Sequence, residues 1–95
     1  MKKGEQGGYK MKSFKYVVTD PVGIHARPAG NLVREIKKYA SECSMSGNGK
    51  TVDGKKLMMV MTLGIKEGDE VELAFTGDDE DKAAADIETW MKGNL

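Results

Sequence analysis

The sequence predicts an α+β fold: a four-stranded antiparallel sheet covered on one face by three helices, in the order βαββαβα. Three observations lead there. Short stretches of period-two alternation each keep one polar face, as expected of an antiparallel sheet with one side on a core and the other in water. Two longer stretches repeat their apolar residues every three or four positions, and a shorter one is dense in leucine and methionine. With 95 residues the chain holds one core, burying about 60–65% of its unfolded surface.

Residues 1–11 carry Gly4, Gly7 and Gly8 with no apolar period and are expected to be a flexible N-terminal extension, leaving 12–95 as the domain. The first strand follows from Phe14, Tyr16 and Val18 alternating with Lys15, Val17 and Thr19, and Pro21 and Gly23 end it. Ala29, Leu32, Val33, Ile36 and Tyr39 then form one apolar stripe opposite Arg34, Glu35, Lys37 and Lys38, which predicts a helix over Ala26–Tyr39. Cys43 and Met45 alternate with Glu42, Ser44 and Ser46 in a second strand. Gly47-Asn48-Gly49 tolerates positive φ and joins it to a third, Lys50–Asp53.

Gly54 breaks the pattern, and Leu57–Leu63 reads as a one- to two-turn helix closed by Gly64, with Leu57, Val60 and Leu63 able to bury one side. After the turn Lys66-Glu67-Gly68-Asp69, Val71, Leu73 and Phe75 alternate with Glu70, Glu72, Ala74 and Thr76 in a fourth strand that Gly77 ends. Asp78, Asp79, Glu80 and Asp81 place negative charge at the head of a last helix, where it complements the dipole. That helix is expected to reach about Met91, with Ala83, Ala84, Ile87 and Met91 as its core stripe and Trp90 as a packing anchor.

Lys and Arg total 15, as do Asp and Glu, so no basic field exists to hold a nucleic acid or an anionic membrane. One cysteine, Cys43, cannot close an internal disulfide, and with His25 the only histidine no zinc site of ordinary ligand count can be built; neither metal nor cofactor is expected. Cys43 is then most simply a small core residue. The longest apolar run, Leu57–Met61, is far too short to enter a bilayer, and the charged, Gly-rich start does not resemble a secretory signal, so a cytoplasmic setting is expected.

The chemistry concentrates at His25. It stands at or beside the cap of the first long helix, with Ala26, Arg27 and Ala29 in the opening turn and Pro28 where its missing N–H costs little. Free amides at a helix head attract an anion, and Arg27 adds a permanent cation whose planar donors suit phosphate. An imidazole lone pair in that setting can attack phosphorus, which favours a phosphohistidine over an acid–base residue. A lone histidine in a helix cap is more often structural, and its surroundings distinguish this one. No Walker-type glycine loop and no paired carboxylates accompany it, so the domain has no equipment of its own for a nucleotide.

The string Gly23-Ile24-His25-Ala26-Arg27-Pro28-Ala29-Gly30 closely resembles the active-site signature of the HPr family, the histidine-containing phosphocarriers of the phosphoenolpyruvate-dependent sugar phosphotransferase system. Gly49-Lys50-Thr51-Val52, the segment Lys55–Ile65 and the acidic opening of the last helix stand in the family's order, so the resemblance covers Met11 to Met91. It implies an open-faced β-sandwich with the same order of elements. It also implies that His25 accepts phosphate on Nδ1 from enzyme I and passes it to enzyme IIA domains, with Arg27 as neighbouring cation and the amides of Ala26 and Arg27 as the phosphate cradle. Such a chain is a substrate and donor in phosphoryl transfer and not an independent catalyst. The runner-up is an HPr-like regulatory module in which phosphate on His25 signals to a partner protein.

The methionine-rich helix can be read as ordinary core filling, yet three methionines in so short an element cannot all face inward. The resemblance assigns docking on enzyme I and enzyme IIA to Leu57, Met58 and Met61. Two departures stand out. Many relatives have a regulatory serine before this helix, phosphorylated by a dedicated kinase; Lys56 occupies the matching position here, Ser46 lies in the hairpin and is no counterpart, and HPr kinase is not expected as a partner. Val22 replaces a small polar residue that many relatives place near the histidine.

Overall fold

The structure, a computed structural model, describes residues 11–95. Apart from Met11, the expected extension 1–11 lies outside the described residues. The elements follow the predicted order: β1 (Lys12–Val17), α1 (Ala26–Ile36), β2 (Glu42–Gly47), β3 (Lys50–Asp53), α2 (Leu57–Met61), β4 (Glu70–Thr76) and α3 (Glu80–Asn94). All pairings are antiparallel, and the strands lie side by side as β1-β4-β2-β3, so the last strand in sequence is inserted between the first two.

The registers show how alternation becomes a core. Phe14 faces Leu73, Leu73 faces Met45 and Met45 faces Val52, one apolar row across four strands. Lys15, Glu72, Ser46 and Thr51 form a neighbouring row that points the other way, into solvent. Phe14 also stacks on Phe75, ring centroids 6.4 Å apart. The apolar side of the sheet is covered by Ala29, Leu32, Val33 and Ile36 of α1, Val60 of α2, and Ala83, Ala84, Ile87 and Met91 of α3, all buried. Cys43 belongs to this core, and burial pushes its thiol up to about 12.

The helix ends depart from the periodicity. α1 closes at Ile36 and not Tyr39, because Lys38 and Tyr39 bond back three residues, to Glu35 and Ile36, tightening the last turn. Tyr39 still packs on the core, its hydroxyl donating to Asp86 Oδ2 at 2.6 Å. α2 ends at Met61, and bonds three residues apart carry the chain through Leu63 to Gly64, which takes the left-handed φ of +61° expected of a helix stop. α3 runs past Met91 to Asn94.

The acidic opening of α3 does more than complement a dipole. Asp79 accepts hydrogen bonds from Ala40 N, Ser41 N and Ser41 Oγ, tying the α1–β2 loop to the head of α3, while buried Glu80 receives Gly77 N at 3.0 Å. Asn48 and Gly49, both at positive φ, turn β2 into β3, and the Asn48 amide donates to Leu63 O at 2.8 Å, fixing the exit of α2 on the hairpin.

Candidate functional site

His25 is the N-cap of α1, with φ −110° and ψ −170°, and its carbonyl accepts the first helical bond from Ala29 N at 2.8 Å. Its imidazole makes no capping hydrogen bond, and the residue is exposed. Pro28 has no N–H, so Ala26 and Arg27 supply the two first-turn donors without an intrahelical acceptor. The turn contains no acidic side chain to compete with an incoming anion. Arg27 is exposed and forms no ion pair among the described residues.

Long-range contacts set where this helix head sits. Asp20 Oδ1 accepts Val22 N at 2.9 Å, and Asp20 O accepts Gly23 N at 2.9 Å, so the loop before His25 folds on itself. Gly23 has φ +78°, and a Cβ there would lie 2.5 Å from Ile65 O and 2.7 Å from Lys66 Cα. That close approach lets Ile24 N reach Ile65 O at 3.0 Å, with the Ile24 side chain buried beside it. Leu95 O accepts Thr19 N and Asp20 N, each at 2.7 Å, bracing the same loop from the end of α3.

The bond from Ile24 to Ile65 also couples the two candidate surfaces, because Ile65 follows the exit of α2 and Ile24 precedes His25. Of the expected docking residues, Met58 and Met61 are exposed and Leu57 is half-buried, packed against the core. Sequence reasoning left Met59 out of the docking set, yet it is exposed. Val22, two-thirds exposed, adds apolar surface three residues before His25. Val60 and Leu63 are buried as predicted. Lys56 is the exposed N-cap of α2. Ser46 lies within β2, its hydroxyl 2.8 Å from that of Thr51.

A groove on the open face of the sheet, lined by Glu42, Ser44, Thr51, Asp53 and Thr76, contains none of these residues. His25 and Arg27 both lie on exposed surface. Among the described residues no helix is long and apolar enough to cross a membrane, and no cluster of metal-ligating side chains occurs.

Comparison with known proteins agrees with the fold. The chain is 46% identical over 66 residues to the phosphocarrier protein HPr of Buchnera aphidicola, covering 70% of this chain and 78% of the relative. It is 39% identical over 85 residues to that of Mycoplasma genitalium, covering 88% and 97%. The crystal structure of HPr-C-His from Thermoanaerobacter tengcongensis superposes with a TM-score of 0.83 at 30% identity, over 87% of this chain and 93% of that one. Residues 12–92 match the family described as the PTS HPr component phosphorylation site. With the fold, the helix-head histidine and these similarities in agreement, this chain belongs to the HPr family of phosphotransferase-system phosphocarriers.

Proposed function

We propose that His25 accepts a phosphoryl group from enzyme I and surrenders it to enzyme IIA domains in sugar uptake, in a cytoplasmic setting. The observation that carries this reading is an exposed imidazole at a helix cap that leaves the cap's amides free. Transfer is in line. The Nδ1 lone pair of neutral His25 attacks phosphorus, the N–P bond forms as the bond to the donor breaks, and the charge of a loose transition state spreads over three equatorial oxygens. The amides of Ala26 and Arg27, fixed by the helix, meet that charge without reorganising, and the Arg27 guanidinium adds a permanent positive charge beside them. The second transfer reverses the roles, with His25 as leaving group.

Leu57, Met58 and Met61 dock the partners, which contribute the remaining catalytic groups. Lys56 leaves the position before α2 without a hydroxyl, so HPr kinase has no substrate there. The test is mass spectrometry after incubation with phosphoenolpyruvate and enzyme I, followed by turnover with enzyme IIA in excess over this chain. One phosphoryl group on His25, lost in acid and stable in alkali, with many transfers per molecule, is the expected result. Labelling that persists in His25→Ala overturns the proposal, and labelling without turnover supports a signalling module in place of a carrier.

A further inference from the structure

The described methionines fall into two classes. Met45 and Met91 are fully buried, whereas Met11 ahead of β1 is 57% exposed and Met58 is 73%, Met59 41% and Met61 37% exposed, the last three within the five residues of α2. Thioether sulfur is oxidised by peroxide where peroxide can reach it, and the product is polar. We propose that Met58, Met59 and Met61 form a peroxide-sensitive modification site, and that their conversion to sulfoxides switches off partner docking; the second half rests on the docking role given to α2 above.

The chemistry balances without a cofactor. A methionine sulfur attacks one oxygen of hydrogen peroxide, the O–O bond breaks, an S–O bond forms, and the other oxygen leaves as water after taking the proton of the first. Sulfur loses two electrons and peroxide gains them. The competing sulfur, Cys43, is buried in the core with its thiol pushed up to about 12, so little thiolate exists to react. Oxidation of α2 leaves the fold standing, because Val60 and Leu63 carry its packing and both are buried. A flexible apolar surface suited to several partners becomes a polar one, and methionine sulfoxide reductases can reverse the change.

The experiment treats the whole chain with graded hydrogen peroxide, maps added oxygen by peptide mass spectrometry, and measures the KM of enzyme I for the treated chain. Oxygen is expected on Met58, Met59 and Met61, and on exposed Met11, well before Met45 and Met91. KM should rise about tenfold, the scale of losing an interface anchor, with the circular dichroism spectrum unchanged and KM restored by sulfoxide reductase. Met11→Leu should show the same peroxide-induced rise, whereas Met58→Leu/Met59→Leu/Met61→Leu, compared with its own untreated sample, should show none. Oxidation of Met45 and Met91 in step with α2, or full sulfoxidation of α2 with KM unchanged, overturns the inference. Untreated Met58→Ala separates it from the docking reading: a raised KM there with no effect of sulfoxidation removes this inference alone, and an unchanged KM removes the docking role.

Discussion

Replacing Gly23 by alanine tests whether the close approach of two loops positions the candidate histidine. Gly23 has φ +78°, and its Cβ would sit 2.5 Å from Ile65 O and 2.7 Å from Lys66 Cα, both backbone atoms that cannot rotate away. Gly64 is the matched comparison, with φ +61° and nothing within 4 Å of the added carbon. Both substitutions incur the left-handed backbone cost of about 1–2 kcal/mol and the same gain from a stiffer unfolded chain. Only Gly23→Ala adds overpacking, about 1–3 kcal/mol. For a domain of this size the difference lowers the melting midpoint of Gly23→Ala by about 4–24 °C more than that of Gly64→Ala. The cheapest relief parts the loops, lengthening the 3.0 Å bond from Ile24 N to Ile65 O and moving His25. Thermal unfolding by circular dichroism, with enzyme I phosphorylation rates taken well below both midpoints, reads the two effects. Equal midpoints for the two variants, or a wild-type rate for Gly23→Ala, would refute the reasoning.

Arg27→Ala should slow transfer by a barrier of about 2–4 kcal/mol, the scale of one lost transition-state stabiliser, and change the melting midpoint little, because the side chain is exposed; rapid-quench rates with enzyme I and enzyme IIA check it. Lys56→Glu puts negative charge at the cap of α2 and should slow phosphorylation by enzyme I at low salt, with the difference shrinking at high salt. On the acid side, hydrogen bonds from Ser41 and Ala40 hold Asp79 below the usual carboxylate range, and those from Tyr39 and Lys82 do the same for Asp86. Their stabilisation is therefore full above about pH 4 and lost as pH falls through the lowered folded values, and Asp79→Asn should flatten that acid limb in melting curves. Tyr39, pushed up to about 12 chiefly by its bond to Asp86, works in the opposite sense: its contribution is full below about pH 10 and lost toward 12, and Tyr39→Phe should flatten the alkaline limb, which the buried Cys43 thiol shares.

Much of this protein was written locally. The candidate phosphate site is one contiguous string, so a cap histidine, two free amides, Pro28 and Arg27 could be placed before any tertiary contact was known. The order of elements was legible for the same reason. Period two and period 3.6 are properties of backbone geometry, and Asn48-Gly49 can take the positive φ values that its turn requires. The resemblance to HPr added the transfer partners and the docking role, which no periodicity contains.

Tertiary structure decided everything that joins distant segments. Alternation tells a strand which face is apolar and leaves its neighbour open, so the insertion of β4 between β1 and β2 emerged only from long-range pairing. Five residues of α2 make little more than one turn, too few for a repeated stripe to say how far each methionine is covered; packing of Val60 and Leu63 into the core decided that, and left Met59 exposed beside Met58 and Met61. Asp79 looked like a dipole partner because its neighbours in sequence are acidic, yet its hydrogen bonds go to Ala40 and Ser41, residues that local reasoning cannot bring near it. Gly23 and Ile65 are likewise far apart in sequence, and His25 has its position because backbone from both meets without a Cβ between. A side chain's face is a local property, whereas its neighbour depends on how the entropy of closing each loop is offset by the apolar area that closure buries.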